Sequence, residues 1–271
     1  MGRVGLVPRE LTLSVARDPP EAVQRDPRAG QPRRAAQEPG RLVAVAGLCG
    51  GAGASTLAYL LCCAAIADGE RPVLCLDAAG RAGIAAYAGT QPGISFAHAS
   101  IELQAGRLPA AGRLFASSKH GVRMLCSTPS LERPLLAAGG ASRLLADARS
   151  AHALTVIDCG TLTGELERLA LSSADHALLV IPATRSGIQR GGPLAAQARE
   201  LCSPGANVTL IARSDRPERT APVSELAPIA EPIGATIVLC PHLGDLRERP
   251  VEPALERAQV TLQALRRVVA R

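Results

Sequence analysis

The chain has 271 residues, of which 47% are hydrophobic and 20% are charged. These fractions are those of an ordinary folded protein, and they exclude disorder along the whole chain. The formal net charge is +6, but residues 1–41 hold eight Arg against five acidic residues, so the rest of the chain is only mildly basic. With two Tyr, two Phe and no Trp, the chain lacks the stacking aromatics and the dense basic stripe that nucleic-acid binding uses, which disfavours a nucleic-acid partner.

The first segment, residues 1–41, is crowded with Pro, Arg, Gln and Glu and contains Asp18-Pro19-Pro20. It shows no sustained hydrophobic period, so it is predicted to be a disordered tail. An Arg-rich tail is usually only solvated, although a role in binding acidic lipid or a partner stays open.

The eight cysteines show no paired ligand spacing, and several of them end or interrupt apolar runs. This pattern predicts buried, reduced thiols rather than a metal site or a disulfide framework. The sequence also shows no apolar stretch typical of a signal peptide or a membrane span. We therefore expect a cytoplasmic protein.

From Leu42 onward, short apolar runs alternate with helix-like segments such as Thr56–Ala67 and Arg143–Ser150. Several runs are apolar on both faces, which is typical of strands covered by helices on either side. The predicted fold class is therefore α/β, with residues 42–271 forming a doubly wound, mostly parallel, seven-stranded sheet that carries helices on both faces. The seven predicted strands are Leu42–Leu48, Val73–Asp77, Val122–Cys126, Leu154–Asp158, Ala177–Pro182, Val208–Ala212 and Thr236–Cys240.

The final segment predicts an amphipathic helix whose apolar face comprises Leu255, Ala258, Leu262, Leu265 and Val269. Packing of this face against the core is the default interpretation. A basic amphipathic helix at a membrane surface is the alternative, although the apolar face is narrow and has no large aromatic residue.

The strongest local signal is the string VAVAGLCGGAGASTLAYLL, in which an apolar strand leads through a glycine-dense turn into a helix-forming run. We call its turn, Gly47–Thr56, the glycine loop. Its glycines allow positive φ angles and close approach to a ligand, and it leads to a helix N-terminus, where anions are favoured. The pattern predicts phosphate binding, with Ser55 placed to supply a hydroxyl to Mg²⁺. Close packing alone can also require such glycines.

Two carboxylates end predicted strands farther along the chain. Asp77 ends the second apolar run, and Asp158 ends the run LTVID. An acidic residue after an apolar strand is typical of sites that hold Mg²⁺ through water. Ser55, Asp77 and Asp158 are therefore the candidate magnesium residues, although either carboxylate could instead cap its strand.

Taken in chain order, these features resemble the MinD/ParA superfamily of deviant phosphate-loop ATPases, whose loop reads approximately K-G-G-x-G-K-[ST]-T. The matching residues are Cys49-Gly50-Gly51-Ala52-Gly53-Ala54-Ser55-Thr56. VLCLDAAG, HGVRMLCSTP, ALTVIDCG and SADHALLVIPATRSGIQRGG resemble later strands of the same family, so the likeness covers about residues 42–270. It is nearest to the CpaE/TadZ pilus and secretion branch and to the septum-site-determining branch.

The resemblance implies a P-loop NTPase fold that binds ATP or ADP with Mg²⁺. The nucleotide-binding residues it implies are Gly50, Gly51, Ala52, Gly53, Ala54, Ser55 and Thr56.

The sequence departs from that family at several functional positions. Cys49 and Ala54 stand where the family has its two loop lysines, and Lys119 is the only lysine in the protein. Asp77 is followed by Ala78-Ala79, so the second carboxylate of the family's Asp-x-Asp is missing, and Ile211-Ala212-Arg213 lacks the Asn that often lies near adenine. We expect at most a weak ATPase, because loss of one positioned donor costs about two to three orders of magnitude in rate.

The resemblance, together with these departures, implies a nucleotide-binding and partly degenerate protein that positions or regulates a pilus, secretion or septum apparatus. Its expected partners are proteins of that machine, with a homodimer and contact with the membrane periphery or cell pole as open alternatives. The rival hypotheses are a slow ATPase whose missing charge is supplied by an Arg of this chain or by a partner, and a scaffold that binds no nucleotide.

Overall fold

The computed structural model describes residues 39–80, 83–90, 93–107, 115–126, 137–214, 221–243 and 251–270. Residues 1–38 of the predicted tail lie outside this range, as do Ser127, Thr128 and Pro129 of the family-like third-strand segment. Arg41, which the sequence pattern placed in the tail, is the first residue of a strand.

The centre of the fold is an eight-stranded sheet in the order β3-β4-β2-β5-β1-β6-β7-β8. All neighbouring pairs are parallel except β3 with β4. The strands are β1 (Arg41–Gly47), β2 (Val73–Asp77), β3 (Ala116–Ser117), β4 (Arg123–Leu125), β5 (Leu154–Asp158), β6 (His176–Pro182), β7 (Asn207–Arg213) and β8 (Thr236–Cys240).

The α/β class and the mostly parallel sheet are confirmed, and β2, β5 and β8 have the predicted bounds. The predicted number of strands, seven, was wrong, since the sheet of the described residues has eight. The missed strand, β3, has only two residues and runs antiparallel to β4 at the edge of the sheet. A two-residue edge strand offers no hydrophobic period to detect.

Helices cover both faces of the sheet. They are α1 (Ala54–Ala67), α2 (Gly83–Ala88), α3 (Phe96–Gln104), α4 (Ala138–Ala151), α5 (Glu165–Ser173), α6 (Arg185–Leu201), α7 (Val223–Ala230) and α8 (Glu252–Val269), with a short 3₁₀ turn at Glu231–Ile233. In the part of the chain that the structure describes, none of the helices combines the length and the apolarity that a membrane crossing requires.

Two hydrophobic cores lie on opposite faces of the sheet because successive strand residues point in opposite directions. In β1, Val43 and Val45 belong to the core beneath α1, α2 and α8. Leu42, Ala44 and Ala46 belong to the core beneath α3 to α7. The burial of both faces is why these strands are apolar throughout rather than alternating.

The terminal helix packs as the default interpretation predicted. Ala258, Leu262, Leu265 and Val269 are buried in the core shared with α1, and Leu255 packs against that core.

The eight cysteines are free; seven are buried, as predicted, and Cys49 is half-buried. Burial raises the pKa of the Cys63 and Cys240 thiols to about 12 and that of Cys126 to about 11. These buried thiols are therefore protonated at neutral pH, and they are unsuited to nucleophilic chemistry.

The order of the strands fixes where a ligand can bind. β1 lies between β5 and β6. Strands β2 to β5 lie on one side of β1 and strands β6 to β8 on the other, so the direction in which strands are added reverses at β1. In open α/β sheets, ligands bind outside the carboxyl ends of the strands at such a reversal. We call this side of the sheet, where β1, β2, β5 and β7 end, the carboxyl edge, and the opposite side the amino edge.

Candidate phosphate-binding site

The glycine loop joins the carboxyl end of β1 to the first turn of α1. Gly51 and Gly53 have φ angles of 75° and 94°, which lie in the left-handed region that favours glycine. Gly53 is the N-cap residue of α1, and it has no side chain with which to cap the helix. The first turn of α1 also has no acidic residue. The N–H groups at the start of α1 are thus available to an external anion.

The outer side of the glycine loop is open within the described part of the structure. Gly50 and Gly51 are exposed, and a Cβ built on either of them would meet no atom of the described residues within 4 Å. Gly47 is instead packed, since a Cβ there would lie 3.3 Å from both the Ala52 Cβ and the Cys49 carbonyl oxygen. Among the described residues, the loop is therefore packed at Gly47 and unobstructed at Gly50 and Gly51, which suits it to a phosphate group.

The two predicted carboxylates lie side by side at the carboxyl edge. Asp77 and Asp158 are partners in the register of β2 and β5, and both are buried. An oxygen of Asp77 accepts from the Gly80 N–H at 2.8 Å, and an oxygen of Asp158 accepts from the Gly160 N–H at 3.0 Å. Both residues thus act as strand-end caps, which was the alternative interpretation, while remaining adjacent to each other.

The ionisation of Asp158 is strongly perturbed. Burial raises the pKa of its carboxyl from 3.8 to about 7, and the negative charge of Asp77 adds to the rise. The Ser55 hydroxyl and the Gly160 N–H oppose the rise, so Ser55 faces this carboxyl. A site that disfavours a second negative charge is one in which a cation would be stabilising.

The segments that follow Asp77 and Asp158 contact each other. The N–H groups of Ala78 and Ala79 donate to the Asp158 carbonyl oxygen at 3.0 and 3.3 Å. A Cβ at Gly160 would lie 2.7 Å from the Ala79 Cβ. The two segments are therefore in direct contact.

Local strain and a buried carboxylate mark the segment after Asp158. Leu162 is not a glycine yet has a φ angle of 58°, a conformation that costs about 1–3 kcal/mol. Glu167 is buried, and its carboxylate accepts from the Gly164 N–H at 2.7 Å at the start of α5. Backbone strain of this kind is concentrated in segments that change conformation.

Lys119, the only lysine in the sequence, lies away from the loop. It occupies the turn between β3 and β4, which precedes the amino end of β4. Its Nζ lies 3.9 Å from a carboxylate oxygen of Glu252, the first residue of α8. The candidate site therefore has no ammonium group from lysine.

One residue near the loop was missed as a site residue. Arg213, the last residue of β7, donates from Nη2 to the Gly51 carbonyl oxygen at 2.9 Å. The sequence pattern placed Arg213 directly after the predicted strand Val208–Ala212, near the expected adenine position, but a contact across 162 residues leaves no local signal. The end of a predicted strand at the carboxyl edge was the only available clue.

Across the described ranges, no group of three or more His, Cys, Asp and Glu side chains is arranged to hold a metal ion. The predicted magnesium residues are fewer, namely the carboxylates of Asp77 and Asp158 with the hydroxyl of Ser55. Because Mg²⁺ commonly keeps several waters and binds one or two carboxylates together with phosphate oxygens, these residues still fit it.

Comparison with known proteins identifies the fold. No protein-family model matches the sequence, and no curated protein matches it. Several solved structures do match. A ParA-family ATPase from Chlorobium tepidum is 19% identical with a TM-score of 0.65, over 83% of this chain and 92% of that one.

Two MinD structures match over similar lengths. The MinC–MinD cell division complex of Aquifex aeolicus gives 16% identity and a TM-score of 0.62, over 82% of this chain and 96% of that one. The septum site-determining protein MinD of Pyrococcus horikoshii, solved with Mg-ADP, gives 17% identity and a TM-score of 0.57, over 83% and 89%. The predicted MinD/ParA-type P-loop fold is therefore confirmed.

Proposed function

Since the chain has the MinD/ParA-type fold, we propose that its glycine loop binds ATP or ADP together with Mg²⁺. We further propose that the bound nucleotide controls a docking surface for protein partners. The observation that carries this proposal is the arrangement at the carboxyl edge, where an open glycine loop lies beside Ser55, Asp77 and Asp158.

Main-chain groups supply the binding energy in this proposal. The Ala52 N–H already donates to the Cys49 carbonyl oxygen at 3.3 Å. The proposed donors are therefore chiefly the other N–H groups between Gly50 and Thr56, which include those at the uncapped start of α1. Each hydrogen bond from such a donor to a charged oxygen contributes about 1.5–3 kcal/mol. Several of them suffice for measurable binding without an ammonium group.

Ser55, Asp77 and Asp158 are the proposed magnesium residues. Bound Mg²⁺ would supply positive charge to the phosphate oxygens and to the two buried carboxylates. Ser55 would contribute its hydroxyl, and Asp77 and Asp158 would hold the hydrated ion through water. The raised pKa of Asp158 is consistent with this role, because a cation would restore its ionised form.

We propose that hydrolysis is slow or absent. Ala54 and Cys49 offer no cation to the developing charge, and the methyl groups of Ala78 and Ala79 offer no proton acceptor to an attacking water. Each missing donor costs about two to three orders of magnitude in rate. The nucleotide would act instead by ordering the two contacting segments after Asp77 and Asp158.

The apparatus we propose is a pilus, secretion or division machine at the cytoplasmic side of the membrane, reached through protein partners. The structural likeness to MinD in its complex with MinC supports a protein partner. The likeness to the CpaE/TadZ branch rests on the loop sequence alone.

Thermal unfolding of the full chain, with and without millimolar Mg-ATP or Mg-ADP, tests the proposed binding. A ligand at 100 times its Kd stabilises the native state by about 2.7 kcal/mol, so we expect Tm to rise by roughly 5 °C or more. A Tm that neither nucleotide changes would instead favour a scaffold that binds no nucleotide.

Gly51→Ala and Gly69→Ala form a matched pair for this test. Both glycines have positive φ, at 75° and 88°, and a Cβ on either meets no described atom within 4 Å. Each variant should lose about 1–2 kcal/mol of stability, because left-handed backbone is strained for alanine. Only Gly51→Ala should lose the increase in Tm with Mg-ATP, because its methyl group enters the proposed phosphate site.

A further inference from the structure

Arg213 brings a positive charge to the glycine loop from another strand. It is the last residue of β7, which is separated from β1 only by β6. Because β1, β6 and β7 are parallel, their carboxyl ends lie at the same edge of the sheet. The side chain of Arg213 thus starts level with the loop.

The side chain of Arg213 packs directly on the loop. A Cβ built on Gly53 would lie 2.9 Å from the Arg213 Cδ and 3.1 Å from its Nε. On the same side chain, Nη2 donates to the Gly51 carbonyl oxygen at 2.9 Å. Gly53 is therefore required both for its φ angle and to make room for this arginine.

The guanidinium of Arg213 is incompletely satisfied. Its Nε is buried and has no hydrogen-bond partner among the described residues. Arg213 also forms no ion pair with any carboxylate of the described residues. Buried donors normally have partners, because an unpaired one loses its hydration without compensation.

We propose that Arg213 is the residue that supplies a cation to the phosphates of the bound nucleotide. The inference rests on the proposed function and names the charged residue of that site. A guanidinium is permanently charged, and its planar fork of donors matches phosphate oxygens. The bond from Nη2 to Gly51 fixes the fork against the loop, and the unpaired Nε is a donor for a phosphate oxygen.

A purely structural brace is the competing role for Arg213. A brace would stabilise the loop without affecting one ligand more than another. The two roles are separated by comparing the binding of adenosine, Mg-ATP and inorganic tripolyphosphate, since only the last two present phosphate oxygens.

Isothermal titration of the full chain measures these affinities in three variants. Arg213→Gln removes the charge and Arg213→Lys keeps it. Arg199→Gln is the matched control, because Arg199 also bonds a backbone carbonyl, that of Ser203, but lies at the end of α6, near the amino edge. Both Gln variants lower the net charge by one.

We expect Arg213→Gln to weaken Mg-ATP and tripolyphosphate binding by about 10- to 100-fold and to leave adenosine binding unchanged. Arg213→Lys should lose less, and Arg199→Gln should bind as the wild type does. Equal affinities in Arg213→Gln and Arg199→Gln would overturn this inference while leaving the proposed function intact. Failure of the wild type to bind Mg-ATP would overturn both.

Chemical modification of the wild type gives the same answer if Arg213→Gln does not fold. Phenylglyoxal reacts with guanidinium groups, and peptide mass mapping reports the reaction at each arginine. Tripolyphosphate should slow modification of Arg213 at least several-fold and leave Arg199 unaffected. Equal rates at Arg213 with and without tripolyphosphate would contradict the inference.

Discussion

Charged side chains at the two edges of the sheet differ in whether they form ion pairs. At the amino edge, Arg41 and Arg266 both pair with Glu70, and Arg266 also pairs with Asp68. At the carboxyl edge, the Asp158 carboxyl is buried beside Asp77, and Arg213 forms no ion pair with the described carboxylates.

This difference distinguishes an edge with a structural role from an edge that is a candidate ligand-binding site. Charges at the amino edge compensate one another, so they hold together the ends of β1, α1 and α8. At the carboxyl edge, burial and the neighbouring Asp77 disfavour the charge of Asp158, and Arg213 forms no ion pair with the described carboxylates. A carboxyl perturbed in this way marks a candidate functional site, because a bound cation can stabilise its charge.

The largest expected effect is a gain of stability when the charge of Asp158 is removed. Its pKa is raised from 3.8 to about 7 in the folded protein. The stability it contributes is therefore fully present below about pH 4 and is lost as the pH rises through 7. Asp158→Asn should be more stable than the wild type by about 2–4 kcal/mol at pH 8.

Urea unfolding at several pH values between 4.5 and 8.5 checks this prediction. The advantage of Asp158→Asn should shrink steadily toward acid pH. An Asp158→Asn variant that is less stable than the wild type at pH 8 would show that a cation already compensates the carboxylate, and the contrast between the edges would fail.

A smaller effect of opposite sign is expected at the amino edge. Glu70 lies between Arg41 and Arg266, and both burial and the charge of Arg41 lower the pKa of Arg266. Glu70→Gln should therefore destabilise the protein by about 1 kcal/mol, less at high salt, because it leaves two like charges together.

Urea unfolding at low and high salt measures that loss. Glu102→Gln is the control, since Glu102 pairs with Arg107 at an exposed site and its replacement should change stability less. A neutral or stabilising Glu70→Gln would remove the difference between the two edges.

The sequence was sufficient to predict the parallel sheet because its buried strands are apolar on both faces and end in recognisable residues. The same pattern identified Asp77 and Asp158 as candidate magnesium residues, since each ends a predicted strand and parallel strands end at one edge of the sheet. It could not predict β3, which is too short for a period. It also could not predict the contact of Arg213 with Gly53, which depends on the order of strands rather than on neighbouring residues.

A crystal structure of the full chain grown with Mg-ADP shows whether the glycine loop binds phosphate groups without a lysine. We expect diphosphate density against the N–H groups of Gly50 to Thr56, with Mg²⁺ beside Ser55. Density for the loop closed by its own side chains at saturating Mg-ADP, with no bound nucleotide, would rule out this mode of phosphate binding.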